Sequence, residues 1–574
     1  MSIKKWGEID WVKINVEISK IQRRIYQATI DKEIGKTNYL QGKLINSYYA
    51  KLLSVKQVTQ INKGRKTPGV DRAVIITPTE KLKLAQNLRI CNQASPIRRV
   101  YIPKPGKTGK RPLGIPTIND RATQALIKLA LEPQWEARFE PDSYGFRPGR
   151  SCHDAIEAIF NYNRGRHIHV FDADIHKCFD KINHEKLLKK LDTLPIIKHQ
   201  IKLWLSAGIM KGFTRRNKEE NLRSNKSGTP QGGIISPLLA NIALHGLEIS
   251  TREYYTKTLL RNYFKETNSR AQIGIIRYAD DFVILHPSEH IIRNIKFFVT
   301  NWLNTECGLE FSVEKSAITH SSQGYNFLGF HIISLQIESR VRCKIHISRE
   351  SKNSLLSKTR KIFQKNRSAS AGNLIMQLNP LITGWCYYYR YCECAEDFQK
   401  VEHKFFGQLR AWVFRRHSKG LKSRNSIKLK YFPIDTNVIF NGKEHKGSWI
   451  FTGKSEGQRG NKKDVHLVYP SWISSEKYSK IKGHKSPFDG DNLYWSIRNP
   501  QYSPWRLRIS KCLQKQEGKC NLCGKIITSN DRPEIDHIIP IFLGGKDTLD
   551  NLQAVHDYCH AKKSADELRQ RAQK

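Results

Sequence analysis

Two groups of side chains in this 574-residue chain are spaced for chemistry. The first is Asp280-Asp281, between Ile273-Gly274-Ile275-Ile276-Arg277-Tyr278-Ala279 and Phe282-Val283-Ile284-Leu285. That order, apolar run, acidic tip, apolar run, predicts a hairpin with two adjacent carboxylates at its turn. Holding like charges side by side in a folded protein is costly unless cations neutralise them. Upstream, Val170-Phe171-Asp172-Ala173-Asp174-Ile175 reads as a strand with acidic residues, followed by Phe179 and Asp180. Three carboxylates on neighbouring strands would form the cage that two Mg²⁺ ions need for in-line phosphoryl transfer. The second group is Cys520-x-x-Cys523 with His556-x-x-Cys559-His560, two short pairs of soft ligands that can close one tetrahedral zinc site. In so small a module a metal staple is nearly required, because its core is marginal.

Elements must hold these groups in place. Ile14, Ile18, Ile21 and Ile25 recur at helical spacing in a basic stretch, so residues 1–60 read as amphipathic helix. Thr67-Pro68-Gly69-Val70-Asp71 is a turn, and a helix is expected from Thr79 towards Ile90. Val100–Pro103 and Leu113–Pro116 read as short strands around a Gly/Lys loop, with a helix from Asp120 to about Leu131. Short β-branched runs alternate with helical patterns from 168 to 335, an α/β or α+β arrangement. Residues 341–430 carry 20 Lys and Arg against 5 Asp and Glu, interleaved with Trp385, Tyr387, Tyr388, Tyr389, Tyr391, Phe405, Phe406, Trp412 and Phe414. That mixture suggests a helical nucleic-acid clamp, the alternative being a helical bundle with basic outer faces. Residues 441–463, rich in Gly, Lys, Asn and Ser, read as loops or a linker, and 482–505 with Pro487, Pro500 and Pro504 as the border of a final module.

The charge balance limits the partners. With 98 Lys and Arg against 52 Asp and Glu, the formal charge is +46, which would self-repel strongly without a polyanion nearby. Nucleic acid is therefore the first candidate, and no apolar run approaches the roughly 18–20 residues that span a bilayer. The stretch Met1–Asp10 lacks a signal-peptide core, and the twelve Cys are too scattered for a secreted disulfide framework. A reducing compartment is expected, bacterial cytoplasm with action at the nucleoid before an organelle, since no Arg/Ser-rich transit segment precedes Trp6.

Blocks along the chain resemble, in order, those of group II intron-encoded reverse transcriptases. They are Arg98-Arg99-Val100-Tyr101-Ile102-Pro103-Lys104, Arg111-Pro112-Leu113-Gly114-Ile115-Pro116, Tyr144-Gly145-Phe146-Arg147-Pro148-Gly149-Arg150-Ser151, the Asp174–Phe179 block, Gly228-Thr229-Pro230-Gln231-Gly232-Gly233, Tyr278-Ala279-Asp280-Asp281, Leu309–Ser316 and Phe327-Leu328-Gly329-Phe330. The resemblance implies that Asp174, Asp280 and Asp281 hold the metals, Asp281 least directly. The Ile175 backbone would donate to a phosphate. Phe179 would lie under the sugar and exclude a 2′-hydroxyl, Lys104 and Arg111 would neutralise the incoming triphosphate, and Gln231 would line the nucleotide pocket. Lys315 would contact primer or pair with a carboxylate. Gly384–Arg390 resembles the thumb segment that these proteins use for primer grip and maturase work, and the amphipathic start resembles their N-terminal extension, both expected RNA contacts.

Between the two zinc-ligand pairs, Asp536-His537-Ile538-Ile539-Pro540, Gly544-Gly545 and Asn551-Leu552 resemble an HNH nuclease. By that resemblance His537 activates water as general base, Asp536 and His560 hold one Mg²⁺, and Asn551 braces the loop around His537. The family usually places Cys where this chain has His556, so the staple is either Cys520, Cys523, Cys559 and His556 together or a weakened site.

The implied fold is multidomain α+β: a right-hand polymerase with an antiparallel catalytic sheet and an α-helical thumb, plus a zinc-stapled ββα-metal HNH domain. The expected division is N-terminal extension and start of fingers at 1–95, fingers and palm at 96–340, thumb at 341–425, DNA-binding region at 426–505 and nuclease at 506–574. The expected function is target-primed reverse transcription: an RNA-directed DNA polymerase, splicing cofactor and DNA endonuclease working with intron RNA, double-stranded target DNA and dNTPs. Two alternatives stand beside it, a splicing-only RNA-binding maturase and a DNA endonuclease with a vestigial polymerase.

Overall fold

The computed structural model describes residues 5–572 except 104–108, 212–221, 224–226, 230–231, 268–270, 313, 315, 418–422, 457–461, 500–506, 528–530 and 532. Lys104, Gln231 and Lys315 therefore lie outside the described residues.

The amphipathic start folds as predicted by its spacing. Helices Trp11–Ile30, Ile34–Asn46 and Tyr48–Lys56 pack on helix Ile118–Glu136, with Ile14, Ile18 and Ile25 buried. The next helix spans Pro78–Asn87; Thr77 Oγ1 accepts from the Glu80 amide while Glu80 reaches back to the Thr77 amide. This capping box starts the helix at the proline, one residue before the predicted Thr79.

Strand β1 (Ile97–Pro103) pairs antiparallel with β2 (Lys110–Ile115), from Arg98 opposite Ile115 to Pro103 opposite Lys110. The central sheet has β3 (His169–Asp174) flanked by β7 (Asp281–His286) and β8 (Ala317–His320), with β6 (Gly274–Tyr278) outside β7. The short strands β4 (Ile209–Lys211) and β5 (Leu222–Arg223) extend the β1–β2 sheet.

Period-two alternation gives the central sheet two buried faces. Phe171, Ala173, Phe282 and Ile284 join the core beneath it, with Ile291, Ile292, Ile295 and Val299 of helix Glu289–Cys307. Val170, Val283 and Leu285 join the opposite core, with Tyr325, Phe330 and the helices that follow. Asp172 and Asp174 share the second face, at the end of the strand where that apolar packing stops.

Strands β9 (Tyr325–Phe327), β10 (Phe330–Ile337) and β11 (Arg340–Ile347) form a sheet that the expected border at 341 cuts through. Helices Arg349–Lys365, Ala371–Tyr389, Ala395–Arg415 and Arg424–Tyr431 follow. The third buries Phe398, Val401, Phe405, Leu409 and Trp412, one stripe at helical spacing.

The linker expected at 441–463 is corrected by two hairpins. Strand β12 (Thr436–Phe440) pairs with β13 (Lys443–Gly447), and β14 (Thr452–Glu456) with β15 (Lys462–His466). Gly453 and Gly372 let β14 touch helix Ala371–Tyr389 backbone to backbone; a Cβ on Gly372 would lie 2.0 Å from the Lys454 carbonyl oxygen. The strands are short and polar, so their composition resembles that of a loop, and pairing on the helix decides their state.

A strap of residues 476–498 then returns over the molecule. Asp154, fully buried, accepts from Arg498 Nη2 at 2.6 Å and from the Ile481 amide at 2.7 Å, and Arg23 Nη2 donates to Asn492 at 2.6 Å. Removing one member of a buried pair leaves the other desolvated and uncompensated, at about 3–5 kcal/mol. Arg498→Ala is therefore expected to lower stability by about that amount, read as a lower urea midpoint, with Arg498→Lys recovering only part.

The last unit is helix Leu507–Lys515, hairpin β16 (Pro533–His537) with β17 (Leu552–His556), and helix Asp557–Ala572. Its own small core contains Ile509, Leu513, Ile527, Leu552 and Val555.

Candidate catalytic centres

The fold brings Asp174 directly opposite Asp281 across the β3–β7 pair, and Asp281 opposite Tyr278 across the hairpin. Asp280 stands in the connecting turn beside Ala279, whose φ is +61°. Crowding of negative charge at this end of the sheet shows in its neighbours. Asp172 is pushed up to about 6, by burial first and then by the charge of Asp174. Burial, followed by the charge of Asp280, raises the Cys178 thiol as well.

The turn is held from below. Arg277, buried on the opposite face, donates from Nη1 to Asn241 Oδ1 at 3.0 Å and to the Ala279 carbonyl at 3.3 Å. Asn241 Nδ2 in turn donates to the Gly145 carbonyl at 2.8 Å, and the Tyr144 amide donates to the Arg277 carbonyl at 2.8 Å. Gly145 is glycine for a reason of space, since a Cβ there would lie 2.3 Å from the Ala279 nitrogen. The Tyr144–Ser151 block is thereby fastened to the acidic turn. Sequence reasoning did not single out Arg277 or Asn241. A cation inside an apolar strand and an amide inside the helix Ser236–Leu244, both buried, were the available signals.

Phe179 meets Phe146 edge to face at 6.0 Å between ring centroids. Phe146 is 47% exposed at φ +62°, a strained backbone for an aromatic residue, and sequence reasoning did not single it out. The Thr229 amide donates to the Phe179 carbonyl at 2.6 Å and the Gly228 amide to Ile182 at 2.8 Å, so the Gly228 block lies on the Phe179 block. Ile175 bridges Phe311, which brings the Leu309–Ser316 block beside the same strand end. Arg111 is exposed on β2 opposite Ile102.

In the C-terminal unit, β16 presents Asp536 and Glu534 to His560 of the last helix. His560 Nδ1 contacts the Glu534 carboxylate, and His560 Nε2 lies 4.0 Å from Asp536 Oδ1. Asp536, nearly buried, also accepts from Gln553 Nε2 and Lys563 Nζ, each at 2.7 Å. Asp536 and His560 Nε2 face each other as two donors suited to a divalent cation, while Glu534, which the motif alone did not indicate, holds the other ring nitrogen and orients the imidazole. His537 Nε2 stands 3.4 Å from Asp547 Oδ1, within ion-pair reach but off hydrogen-bond geometry. Asp547 is held by both guanidinium nitrogens of Arg508 at 3.1 Å, and Arg508 keeps its carboxyl below the ordinary range. Asn551 braces the loop: the Ile539 amide donates to its Oδ1 at 2.9 Å, and its Nδ2 donates to the Ile539 and Lys546 carbonyls at 2.9 and 3.0 Å.

The four zinc candidates converge. One ligand atom from each of Cys520, Cys523, His556 and Cys559 lies within 4.8 Å of the others. His556 is 3% exposed, with Nδ1 at 3.5 Å from Cys523 Sγ and Nε2 at 3.7 Å from Asp531. An imidazole with one nitrogen towards the ligand cluster and the other towards a carboxylate is the arrangement of a metal-binding histidine. The His556 position thus fits zinc.

The clamp expectation divides in two. Tyr389, Phe405 and Trp412 are buried in the core, Trp385, Tyr387, Tyr388, Phe406 and Phe414 pack against it, and Trp412 Nε1 donates to the Asn366 carbonyl at 2.9 Å. These rings help to fold the helices together, the bundle part of the expectation, while Trp412 also lines the cavity that the cations surround. The cations lie outside them. Arg360, Arg367, Lys404, Arg415 and Arg416 line a cavity of about 1050 Å³ between helices Arg349–Lys365 and Ala395–Arg415.

Among the described residues no helix is long and apolar enough to cross a membrane. Residues 102–332 match the family described as reverse transcriptase (RNA-dependent DNA polymerase), and 6–88 match the N-terminal domain of reverse transcriptase. Residues 352–432 match the group II intron maturase-specific domain, and 520–566 match HNH endonuclease. The chain is 34% identical over 327 residues to the group II intron-encoded protein LtrA of Lactococcus lactis subsp. cremoris, covering 47% of this chain and 53% of that protein. It is 33% identical over 318 residues to protein YkfC of Escherichia coli (strain K12), covering 49% of this chain and 80% of that one. Maturase-like protein 1 of Euglena longa is 24% identical over 452 residues, 75% of this chain and 87% of that protein. The match thus spans about half the length of LtrA. With these four domains in this order, the chain belongs to the group II intron-encoded reverse transcriptases that carry a maturase-specific domain and an HNH endonuclease domain.

Proposed function

We propose that this protein copies RNA into DNA and cuts DNA, and that the two chemistries serve insertion of a group II intron by target-primed reverse transcription. One observation carries the reading: two acidic centres, Asp174/Asp280/Asp281 and Asp536/His537/His560, stand in separate units of one chain. HNH cleavage leaves a 3′-hydroxyl, and a polymerase needs one. Residues 1–95 are assigned to the N-terminal extension and start of fingers, 96–340 to fingers and palm, 341–425 to the thumb, 426–505 to DNA binding and 506–574 to the nuclease.

In the polymerase, Asp174 and Asp281 face each other, and Asp280 stands beside them on a turn braced by Arg277. Divalent magnesium, when bound there, supplies charge neutralisation for a triphosphate and acidifies a primer hydroxyl. Arg111 receives the triphosphate and the Ile175 backbone donates to it, with nucleotide contacts assigned to Lys104 and Gln231 by their sequence blocks alone. Phe179, backed by Phe146, rejects a ribose by bulk. Steric discrimination of this kind is worth about 10–200-fold. Phe179→Ala is accordingly expected to lower the preference for dNTP over rNTP by about that factor, measured as the ratio of kcat/KM values.

In the nuclease, His537 takes the proton of the attacking water and Lys563 holds the Asp536 carboxylate in place. Asp536 and His560 are the residues that would hold a magnesium ion there. The cationic helices Arg349–Lys365 and Ala395–Arg415 bind intron RNA and support its folded state, while the splicing chemistry stays with the RNA.

The test is a ribonucleoprotein assembled from the full chain and the group II intron RNA that copurifies with it. His537→Ala is expected to abolish cutting of the target duplex while extension of oligo(dT) on poly(rA) persists. Recovery of bulk ribosomal RNA alone, or extension by wild type no greater than the background given by an Asp280→Ala control, would overturn the assignment.

A further inference from the structure

The loop that leaves His537 carries a second feature. Ile538, Ile539, Ile541, Phe542 and Leu543 are 49, 53, 60, 38 and 50% exposed. Single exposed apolar residues are ordinary, but five in a run of six are not. Nor is the run slack. The Leu543 and Gly545 amides donate to the Pro540 carbonyl at 3.0 and 3.1 Å, and Gly544 to Ile541 at 3.0 Å. The Ile538 amide donates to the Asn551 carbonyl at 2.8 Å, and Asn551 clamps Ile539 from both sides. Gly545 passes so close that a Cβ would lie 1.9 Å from the Ile539 carbonyl oxygen. The result is a rigid apolar knuckle, exposed to water at a cost in solubility, with Lys546 following it.

We infer that residues 538–543 are a wedge that enters the DNA duplex and unstacks base steps beside the cut. The inference rests on the nuclease reading of His537. Four residues of chain reach at most about 14 Å, so Ile541 lies within about four base steps of His537. Whatever duplex lies under His537 therefore meets the knuckle as well, which selects DNA as its occupant. Ile, Phe and Leu are the side chains that proteins insert between base pairs, and such insertion opens the step and bends the duplex. Opening would expose the scissile strand to His537 and free the new 3′ end from its complement, as the polymerase requires.

Unwinding can be read without knowing the target site. A singly nicked plasmid is bound by full-length His537→Ala protein, sealed with DNA ligase and stripped, and its topoisomers are resolved on a gel. Bound protein is expected to shift the distribution towards lower linking number. Adding Ile541→Ser, Phe542→Ser and Leu543→Ser is expected to abolish the shift, with plasmid affinity kept within about twofold (about 0.4 kcal/mol) and zinc content unchanged. Adding Phe542→Leu alone, which keeps the apolar bulk, should keep the shift. An equal shift with and without the three serines would overturn the wedge, as would bound protein giving no shift. A changed sedimentation coefficient with unchanged topology would assign the knuckle to self-association and equally overturn it. Failure of the nuclease reading is seen separately, as a wild-type ribonucleoprotein that does not cut.

Discussion

Asp280→Asn abolishes primer extension on poly(rA)/oligo(dT) while leaving DNA cutting intact: that is the result expected from the carboxylate centre. The side chain it alters stands in a two-residue turn, next to Asp281, which itself lies opposite Asp174. The amide keeps the shape and removes one negative charge. Charge stabilisation of a phosphoryl-transfer transition state by cation-holding carboxylates is worth several kcal/mol, and about 4 kcal/mol corresponds to about a thousandfold in rate. The fold should not suffer. Asp280 adjoins Asp281, which lies opposite Asp174, so removing one of these charges relieves repulsion. A variant within about tenfold of wild type (about 1.4 kcal/mol) would show that these carboxylates do not carry the reaction.

Loss of zinc is the second large effect, and it should fall on the other chemistry. The C-terminal unit has a core of few side chains, Ile509, Leu513, Ile527, Leu552 and Val555 among them. A core of that size rarely supplies more than about 3–5 kcal/mol, whereas a structural zinc contributes about 10–16 kcal/mol of apparent folding energy. Cys559→Ser, or dialysis against a strong chelator, is expected to unfold residues 506–574 and abolish cutting. Primer extension should persist, because the carboxylates and their braces belong to other cores. His556→Cys should retain the metal, and His556→Ala should weaken it by tens-fold, both read as zinc released per protein on denaturation. Full nuclease stability after exhaustive metal removal would exclude a staple at this cluster.

Much of the chemistry was legible before any fold. The Asp280-Asp281 tip, the paired soft ligands and the Asp536-His537 step announce themselves because their residue types are uncommon in those surroundings and their spacing is local. The hairpin that holds Asp281 and the helix behind Ile14, Ile18 and Ile25 were legible too, because period two and period 3.6 are written in neighbouring residues. The strands at 436–466 were not. Gly372 and Gly453 bring two backbones into contact there, and no local pattern states which distant segment will supply a strand's partner. For the aromatic residues of 385–414 the sequence left core and surface undivided, since a ring that packs in a core and a ring that stacks on a base have the same composition.

The sequence by itself determined which atoms are available for chemistry: three carboxylates, an imidazole beside Asp536, and soft ligands enough for one zinc. Tertiary structure alone decided which of them meet. Asp174 faces Asp281 only because β3 pairs with β7, and the acidic turn keeps its place only because Arg277, Asn241 and Gly145 reach it from three different elements. It also decided that Asp154 and Arg498 would be buried together and that Ile541 to Leu543 would stay in water. The reason is one of range. Propensity and ligand chemistry act over a few residues, whereas desolvation, ion pairing and exposure depend on which remote segments close over a group, and only the assembled chain sets that.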